Sequence, residues 1–460
     1  MAEHGRSTLS TAEEGRILDR LTGLEKVISP ELICQVLADT QRVNGRACPL
    51  THEVMLWVVL AMGLLTHLPI RQVFRHARKL RPGEVAPGRS NLCEGRKRLG
   101  VEPLRELHAR VVRPLATPDT PGAFYRQWRL VAIDSTVLDV PDSAANAEFG
   151  RSTGGRGDGA FPQVRKARLV ELGTHVELAL AVGGYHDGET TRARQLWDRL
   201  PADALRLEDR GFFGDEDWKA LPSCVKLLVR GKSHLVLRPI QKLSDGSYLA
   251  NIDPSPRDRD KDRHGIVVRV IEDTLDDPQR TGHGAVPRWL TNLLDEHEAP
   301  ALELIALDHE RWEEELVYDE HKTHLDPRRA EKPTHLRSET PAGVRQELDA
   351  LSPGHFVVRA LMCEAARPAG LSPKRLSFVG CLRLLPCRLP ECDSRTPATM
   401  PQWYAALLSE LRTETIPPRR NRINPRVIKR KMSKWPKCRP HHRKQKPLRK
   451  RFEECVVIKT

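Results

Sequence analysis

Five residues of this chain have types and spacings that suit phosphoryl chemistry: Asp134, Asp209, Arg311, Glu315 and Lys322. The last three lie in LDHERWEEELVYDEHKTHL (307–325), which holds no Gly or Pro and is expected to form one helix. Arg311 and Glu315 are four apart and share a helix face, and Lys322 follows almost two turns later. That face carries a cation, a carboxylate and a second cation. A carboxylate can bind a metal ion while the cations take phosphate oxygens. A solvated helix laced with i,i+4 ion pairs would show the same pattern. Asp134 and Asp209 each stand at the end of an apolar, strand-like run. Asp134 could simply bond a turn, and Asp209 could pair with Arg210. Hard cations such as Mg²⁺ prefer oxygen ligands and keep waters for a substrate phosphate. Two such ions about 4 Å apart can activate an attacking oxygen and stabilise a leaving one. Carboxylates at the ends of adjacent strands, with a third on a nearby helix, can hold that pair.

The elements around these residues predict an α/β chain. Residues 1–125 read as helical, with Ser29-Pro30-Glu31 opening one helix and Thr51 capping the next. The run VMLWVVLAMGLL (54–65) is too short to span a bilayer and reads as a buried helix. LPIRQVFRHARKL is an amphipathic basic helix, suited to DNA phosphates or to a solvated face. From Trp128 the pattern turns to strands: RLVAIDSTVLDV, then two in ARLVELGTHVELALAVGGYH, a helix in TTRARQLWDRL, a strand in ALRLEDRGFF and a helix in DEDWKAL. Three strands, a helix, a strand and a helix is the order of a ribonuclease-H-like core. There the first and fourth strands are neighbours, which would bring Asp134 beside Asp209. Residues 225 to about 300 read as a β-rich insertion with strands in VKLLVRG, HLVLRPI, GSYLANI and GIVVRVIED. HLRSETPAGVRQELDAL, with a capped start at Ser338 to Pro341, and FVVRALMCEAAR are expected as separate helices. The expected domains are 1–125, 126–390 and a basic C-terminal tail, 391–460, disordered without a partner.

Charge points to a polyanion. Residues 419–451 hold sixteen Lys and Arg and no Asp or Glu, against +14 for the whole chain, so the body is close to neutral. A local basic run of this kind is an electrostatic footprint for nucleic acid. No signal peptide and no membrane span are expected, and the ten scattered cysteines, with no C-x-x-C pair, fit reduced thiols in the cytoplasm. Cys387, Cys392, Cys438 and His441 match no recognised zinc finger. Ser135 and Thr136 have no His-Asp partner pattern to make them nucleophiles.

Several stretches together resemble DDE transposases of the insertion element four (IS-four) family. They are AIDST around Asp134, GAFPQVRKARLVELGTH from Gly159, LEDRGFF around Asp209, LSDGSYLA from Leu243, ERWEEELVYDEHKTHLDPRR from Glu310, LRSETPAGVRQEL and LSPKRLSF. The resemblance covers residues 15 to 390. The family signature is Tyr-x-x-Arg-x-x-x-Glu-x6-Lys, whose last three positions fall on Arg311, Glu315 and Lys322. Asp308 stands where the family has the Tyr that helps hold a terminal phosphate, which an Asp would repel. The resemblance implies a catalytic and metal-binding triad of Asp134, Asp209 and Glu315. It implies phosphate contacts from Arg311 and Lys322, and two Mg²⁺ ions for which Mn²⁺ can substitute. It also implies cut-and-paste transposition through a hairpin, on double-stranded DNA comprising terminal inverted repeats and target. The protein would be a dimer in the DNA complex, at the bacterial nucleoid. A catalytically inactive DNA-binding remnant is the alternative. Trp289 lies in a similar place to the Trp on which some members stack a flipped base, although the sequence favours a core Trp. Glu313 and Glu314 are the rivals of Glu315, set about 200° and 100° round the helix from it.

Overall fold

The computed structural model describes residues 28–45, 48–66, 68–78, 85–154, 157–232, 234–253, 255–261, 265–278, 283–311, 313–321, 336–388, 391, 395–417 and 452–459. The chain forms two compact units. One gathers residues 1–212, 222–225 and 311–416, and the other 213–221, 226–310 and 417–460. Among the described residues no helix is long and apolar enough to cross a membrane.

Among the described residues the first unit begins with five helices: α1 (Pro30–Asp39), α2 (His52–Leu64), α3 (Ile70–Ala77), α4 (Arg89–Leu99) and α5 (Glu102–Val111). Ser29 caps α1 by accepting from Leu32 N at 3.2 Å, with Pro30 in the first turn, and Thr51 caps α2 by accepting from Val54 N at 3.2 Å. Every residue from Met55 to Gly63 is buried, so α2 is apolar all round because it is enclosed all round. In α3, Val73 and Phe74 point inward while Arg71 and Arg75 are exposed. These helices fall in the same compact unit as the sheet that follows.

The sheet of this unit has four main strands: β1 (Trp128–Asp139), β2 (Gln163–Glu171), β3 (Val176–Gly184) and β4 (Ala204–Glu208). Their spatial order is β3-β2-β1-β4, with β1 antiparallel to β2, β2 antiparallel to β3, and β4 parallel to β1. This is the ribonuclease-H-like order expected from the sequence. Helix α6 (Glu189–Arg194) and a 3₁₀ turn (Trp197–Arg199) make the crossover into β4.

The second unit holds a sheet of β5 (Lys226–Arg230), β6 (Arg238–Lys242), β7 (Tyr248–Ile252), β8 (Ile266–Leu275) and β9 (Arg288–Thr291), in the order β5-β9-β8-β7-β6. Phe213, Trp218, Leu227, Val229, Ala250, Val268, Val270 and Leu290 form its core. The expected strand in HLVLRPI begins only at Arg238, and β9 is a strand that the sequence reading missed. Helix α7 (Ala301–Glu310) follows this sheet in the same unit.

Back in the first unit are α8 (Glu313–Asp319), α9 (Pro341–Ala366), α10 (Phe378–Arg388) and α11 (Met400–Thr413). Three expectations are corrected here. The stretch 307–325 is not one helix: α7 stops at Glu310, Arg311 is a turn, α8 begins at Glu313, and Glu320 and His321 have π-helical backbone. Lack of Gly or Pro permits continuity but cannot impose it, and the chain changes unit at this point. Helix α9 runs unbroken through Pro353, where two helices were expected. Proline removes one helical donor there, yet nearly every residue around it is buried in tertiary contacts that hold the helix. Among these, Gly354 packs 3.4 Å from the Gly63 carbonyl carbon, measured from an added Cβ. Finally, residues 391–460 are not all tail. Trp403, Leu407 and Leu411 of α11 pack with Phe378, Cys381 and Leu385, and β10 (Val456–Ile458) pairs with β8. The basic run at 419–451 lies outside the described residues.

Candidate active site

The two aspartates are set by strand register. Strands β1 and β4 pair Val131 with Arg206 and Ala132 with Leu207. Two positions further on, the same register sets Asp134 level with Asp209, 75 positions away in the chain. Both are half-buried. Each carboxylate accepts from the next backbone N–H: Asp134 Oδ1 from Ser135 at 2.7 Å, and Asp209 Oδ1 from Arg210 at 2.8 Å. These bonds orient the two side chains, Asp134 within β1 and Asp209 just past the end of β4. Burial pushes the Asp134 carboxyl above its usual value. The Ser135 N–H and the charges of Arg168 and Arg311 oppose that rise, and Glu189 adds to it. Arg311 therefore acts within Coulombic reach of Asp134.

Arg168 is the strand partner of Asp134 across β1–β2 and is fully buried. Its guanidinium carbon lies 3.1 Å from the Tyr318 ring centroid. Tyr318 is on α8, three residues after Glu315, so α8 packs over the strand pair that carries Asp134. Glu315 itself is exposed and Arg311 half-buried. Lys322 lies outside the described residues, as does the side chain of Glu314. Glu313 does not compete with Glu315. It is buried, with its carboxylate 2.9 Å from His175 Nε2.

The sequence reading missed the charged layer beneath α8. Lys166 Nζ lies 2.7 Å from Glu177, and Arg168 3.9 Å from the same carboxylate. Burial lowers the Lys166 pKa. Burial opposes ionisation of Glu177, but Lys166 and Arg168 outweigh it and hold the carboxyl low. Glu320 is bonded by Arg359 Nε at 3.0 Å and lies 2.8 Å from His355 Nε2. Burial works against its charge, but Arg359 and His175 hold its carboxyl well below the usual range. The only hint in the sequence was the Gly-Thr-His of ARLVELGTH. Gly173 allows the turn to close on Ala123, Thr174 donates to Glu171, and His175 reaches α8's ends.

The donor chemistry fits a hard divalent cation at Asp134 and Asp209, which offer oxygen ligands at one level of adjacent strands, Asp134 inside β1 rather than at its expected end and Asp209 just past the end of β4. Among the described residues no three of His, Cys, Asp and Glu are grouped closely enough to hold one ion. Trp289 is buried in the second unit, where its Nε1 donates to Asp273 at 2.7 Å and Arg230 lies 5.7 Å from its ring. That is the core placement. Of the four groups considered for zinc, Cys387 is exposed and only it is described.

Comparison with known proteins decides the family. The family model "Insertion element 4 transposase N-terminal" matches residues 18–109, and "Transposase DDE domain" matches residues 126–340. The chain is 30% identical over 424 residues to the transposase InsG for insertion sequence element IS4 of Escherichia coli, covering 90% of this chain and 93% of that one. This chain belongs to the insertion element 4 family of DDE transposases. A second Escherichia coli relative of this transposase, the putative transposase InsZ, is 23% identical over 188 residues, covering 40% of this chain and 60% of that one. A piggyBac transposase synaptic complex with hairpin DNA is similar at a TM-score of 0.39 and 10% identity, over 85% of this chain and 80% of that one. At that distance the likeness adds nothing to the assignment.

Proposed function

We propose that this transposase cuts and rejoins insertion-sequence ends by metal-dependent phosphoryl transfer, in cut-and-paste transposition through a hairpin intermediate. The observation that carries the reading is the shared level of Asp134 and Asp209 on parallel neighbouring strands, with Tyr318 of α8, three residues after Glu315, packed on Arg168 of the Asp134 strand pair. The substrate is double-stranded DNA, first the terminal inverted repeats and then the target. The working form is a dimer on DNA at the bacterial nucleoid.

Asp134, Asp209 and Glu315 would hold two Mg²⁺ ions, for which Mn²⁺ can substitute. When bound, the metal supplies activation of the attacking oxygen and stabilisation of the leaving one. Three carboxylates close together repel one another without a cation between them. Glu315, exposed on α8, would complete the ligand set with the two aspartates. Asp134 must be ionised to serve as a ligand, and Arg168 and Arg311 offset the burial that opposes its charge. Arg311 and Lys322 take phosphate oxygens near the cleaved end, orienting the phosphorus for in-line attack. Water first attacks phosphorus and the bond to the terminal 3′ oxygen breaks. The freed 3′-OH would then attack a phosphorus of the opposite strand and displace the 3′ oxygen of the flanking DNA, which leaves as a 3′-OH and closes the hairpin.

The test is Mg²⁺-dependent cleavage of a duplex bearing the element's terminal repeat by purified protein. Asp134→Asn removes a ligand and no phosphate contact. It should reduce cleavage to background with DNA affinity retained. Normal cutting by that variant would exclude Asp134 from the metal site.

A further inference from the structure

We propose that His175, Glu313, Glu320 and Arg359 form a buried clasp of positioning residues that sets where α8 presents Glu315. The inference rests on the reading of Glu315 as a metal ligand, and it concerns four residues that reading leaves unused.

Helix α8 has little to hold it locally. It is seven residues long, separated from α7 by the turn at Arg311 and followed by π-helical backbone at Glu320 and His321. An isolated helix of two turns is unstable in water, so side chains must fix it. One imidazole does this at both ends. His175 Nε2 lies 2.9 Å from Glu313 at the start of α8, and Nδ1 lies 3.1 Å from Glu320 just past its end. Arg359, from the long helix α9, donates to Glu320 and reaches 2.7 Å from His175 Nδ1. His355 closes the other side of Glu320 at 2.8 Å. All of these side chains are buried.

The geometry separates the clasp from the proposed ligand. Glu313 and Glu320 are seven residues apart and face the same way, inward. Glu315 is about 200° round from Glu313 on helical spacing and is exposed. The clasp can therefore fix the helix while leaving Glu315 clear for metal and DNA. Backbone conformation marks His175 among the four clasp residues. It sits in the hairpin turn between β2 and β3 with φ +62°, in the left-handed region that non-glycine residues seldom occupy, His being with Asn and Asp among the more frequent. A residue held in that region needs the surrounding structure to keep it there, and here the ring contacts with both ends of α8 do so. Buried ionic groups are often no more stabilising than apolar packing. A charged clasp at this point fits a demand for placement, since small displacements of a catalytic ligand cost rate steeply.

His175→Gly separates the two roles of this residue. Glycine adopts positive φ freely, so the turn is kept and the ring contacts are lost. Cleavage of the terminal-repeat duplex by the full chain is measured against Mg²⁺ concentration, with DNA affinity and thermal melting alongside. The expected result is a Mg²⁺ midpoint raised about 10- to 100-fold, the range for loss of a group that orients a metal ligand, with DNA affinity retained. His175→Asn tolerates the same φ and keeps one N–H donor, so it should recover part of the shift. Glu313→Gln keeps shape and volume. It should also raise the midpoint, and it carries the test if His175→Gly does not fold. A wild-type Mg²⁺ midpoint in the folded variants, whether or not the overall rate falls, would overturn the proposal by reducing the clasp to fold stability. Failure of the reading beneath it has a different signature, since Glu315→Gln would then cleave normally.

Discussion

Asp349 offers a test of the buried electrostatics through pH. It lies on α9, about nine-tenths buried, and lines a cavity of about 420 Å³ with Arg105, Arg192 and Arg345. Burial pushes its carboxyl up to about 6, against the pull of Arg105, Lys166 and Arg345. An Asp in the unfolded chain titrates near 3.9. The folded protein therefore binds this proton more tightly than the unfolded chain does. The resulting stability is fully present below pH ~4 and is lost as pH rises through ~6. A shift of about two units corresponds to roughly 3 kcal/mol at most. Water in the cavity would screen the ionised form, so about 1–2 kcal/mol is the working expectation. Asp349→Asn removes the titration while keeping the shape. The variant should be more stable than the parent by that amount at pH 7.5, and no more stable at pH 4. Urea unfolding of both proteins at the two pH values reads the difference, and taking parent minus variant removes the contribution of other carboxylates. An equal difference at pH 4 and pH 7.5 would refute the argument that burial dominates this group.

Three further outcomes are expected. Gly63→Ala should destabilise the protein by roughly 1–3 kcal/mol or more, because the new Cβ would collide with the Ala350 carbonyl, 2.7 Å from its carbon, where two helix backbones meet; urea unfolding with an unchanged midpoint would contradict that contact. Deleting residues 419–451 should flatten the dependence of DNA affinity on salt while leaving end preference intact, since their charge would act by releasing counterions; an unchanged slope would show that this run does not touch DNA. Asp308→Tyr restores the family's side chain and removes a negative charge, so single-turnover cleavage of a pre-formed end complex should speed up. A clear loss instead would mean that Asp308 has a positive role.

Local signals carried much of the architecture. The caps at Ser29 and Thr51 and the buried run in α2 were legible because a cap or an apolar helix is decided within a few residues. The strand order followed from the alternation of apolar runs, and with it the common level of Asp134 and Asp209 in the strand register, because the first and fourth strands of that order must be neighbours. The Arg-x-x-x-Glu-x6-Lys spacing, with the motifs around the two aspartates, pointed to the family that the comparison then showed. What the sequence could not decide depended on contacts between distant residues. The break at Arg311 comes where the chain passes from one unit to the other, which no residue type there announces. Helix α9 passes Pro353 because burial on all sides outweighs one missing hydrogen bond, and α11 forms because Trp403, Leu407 and Leu411 find a core to enter. His175 meets Glu313 across 138 positions. A buried ion pair needs only two side chains of opposite charge brought together by the fold, and it leaves no periodic trace in either segment.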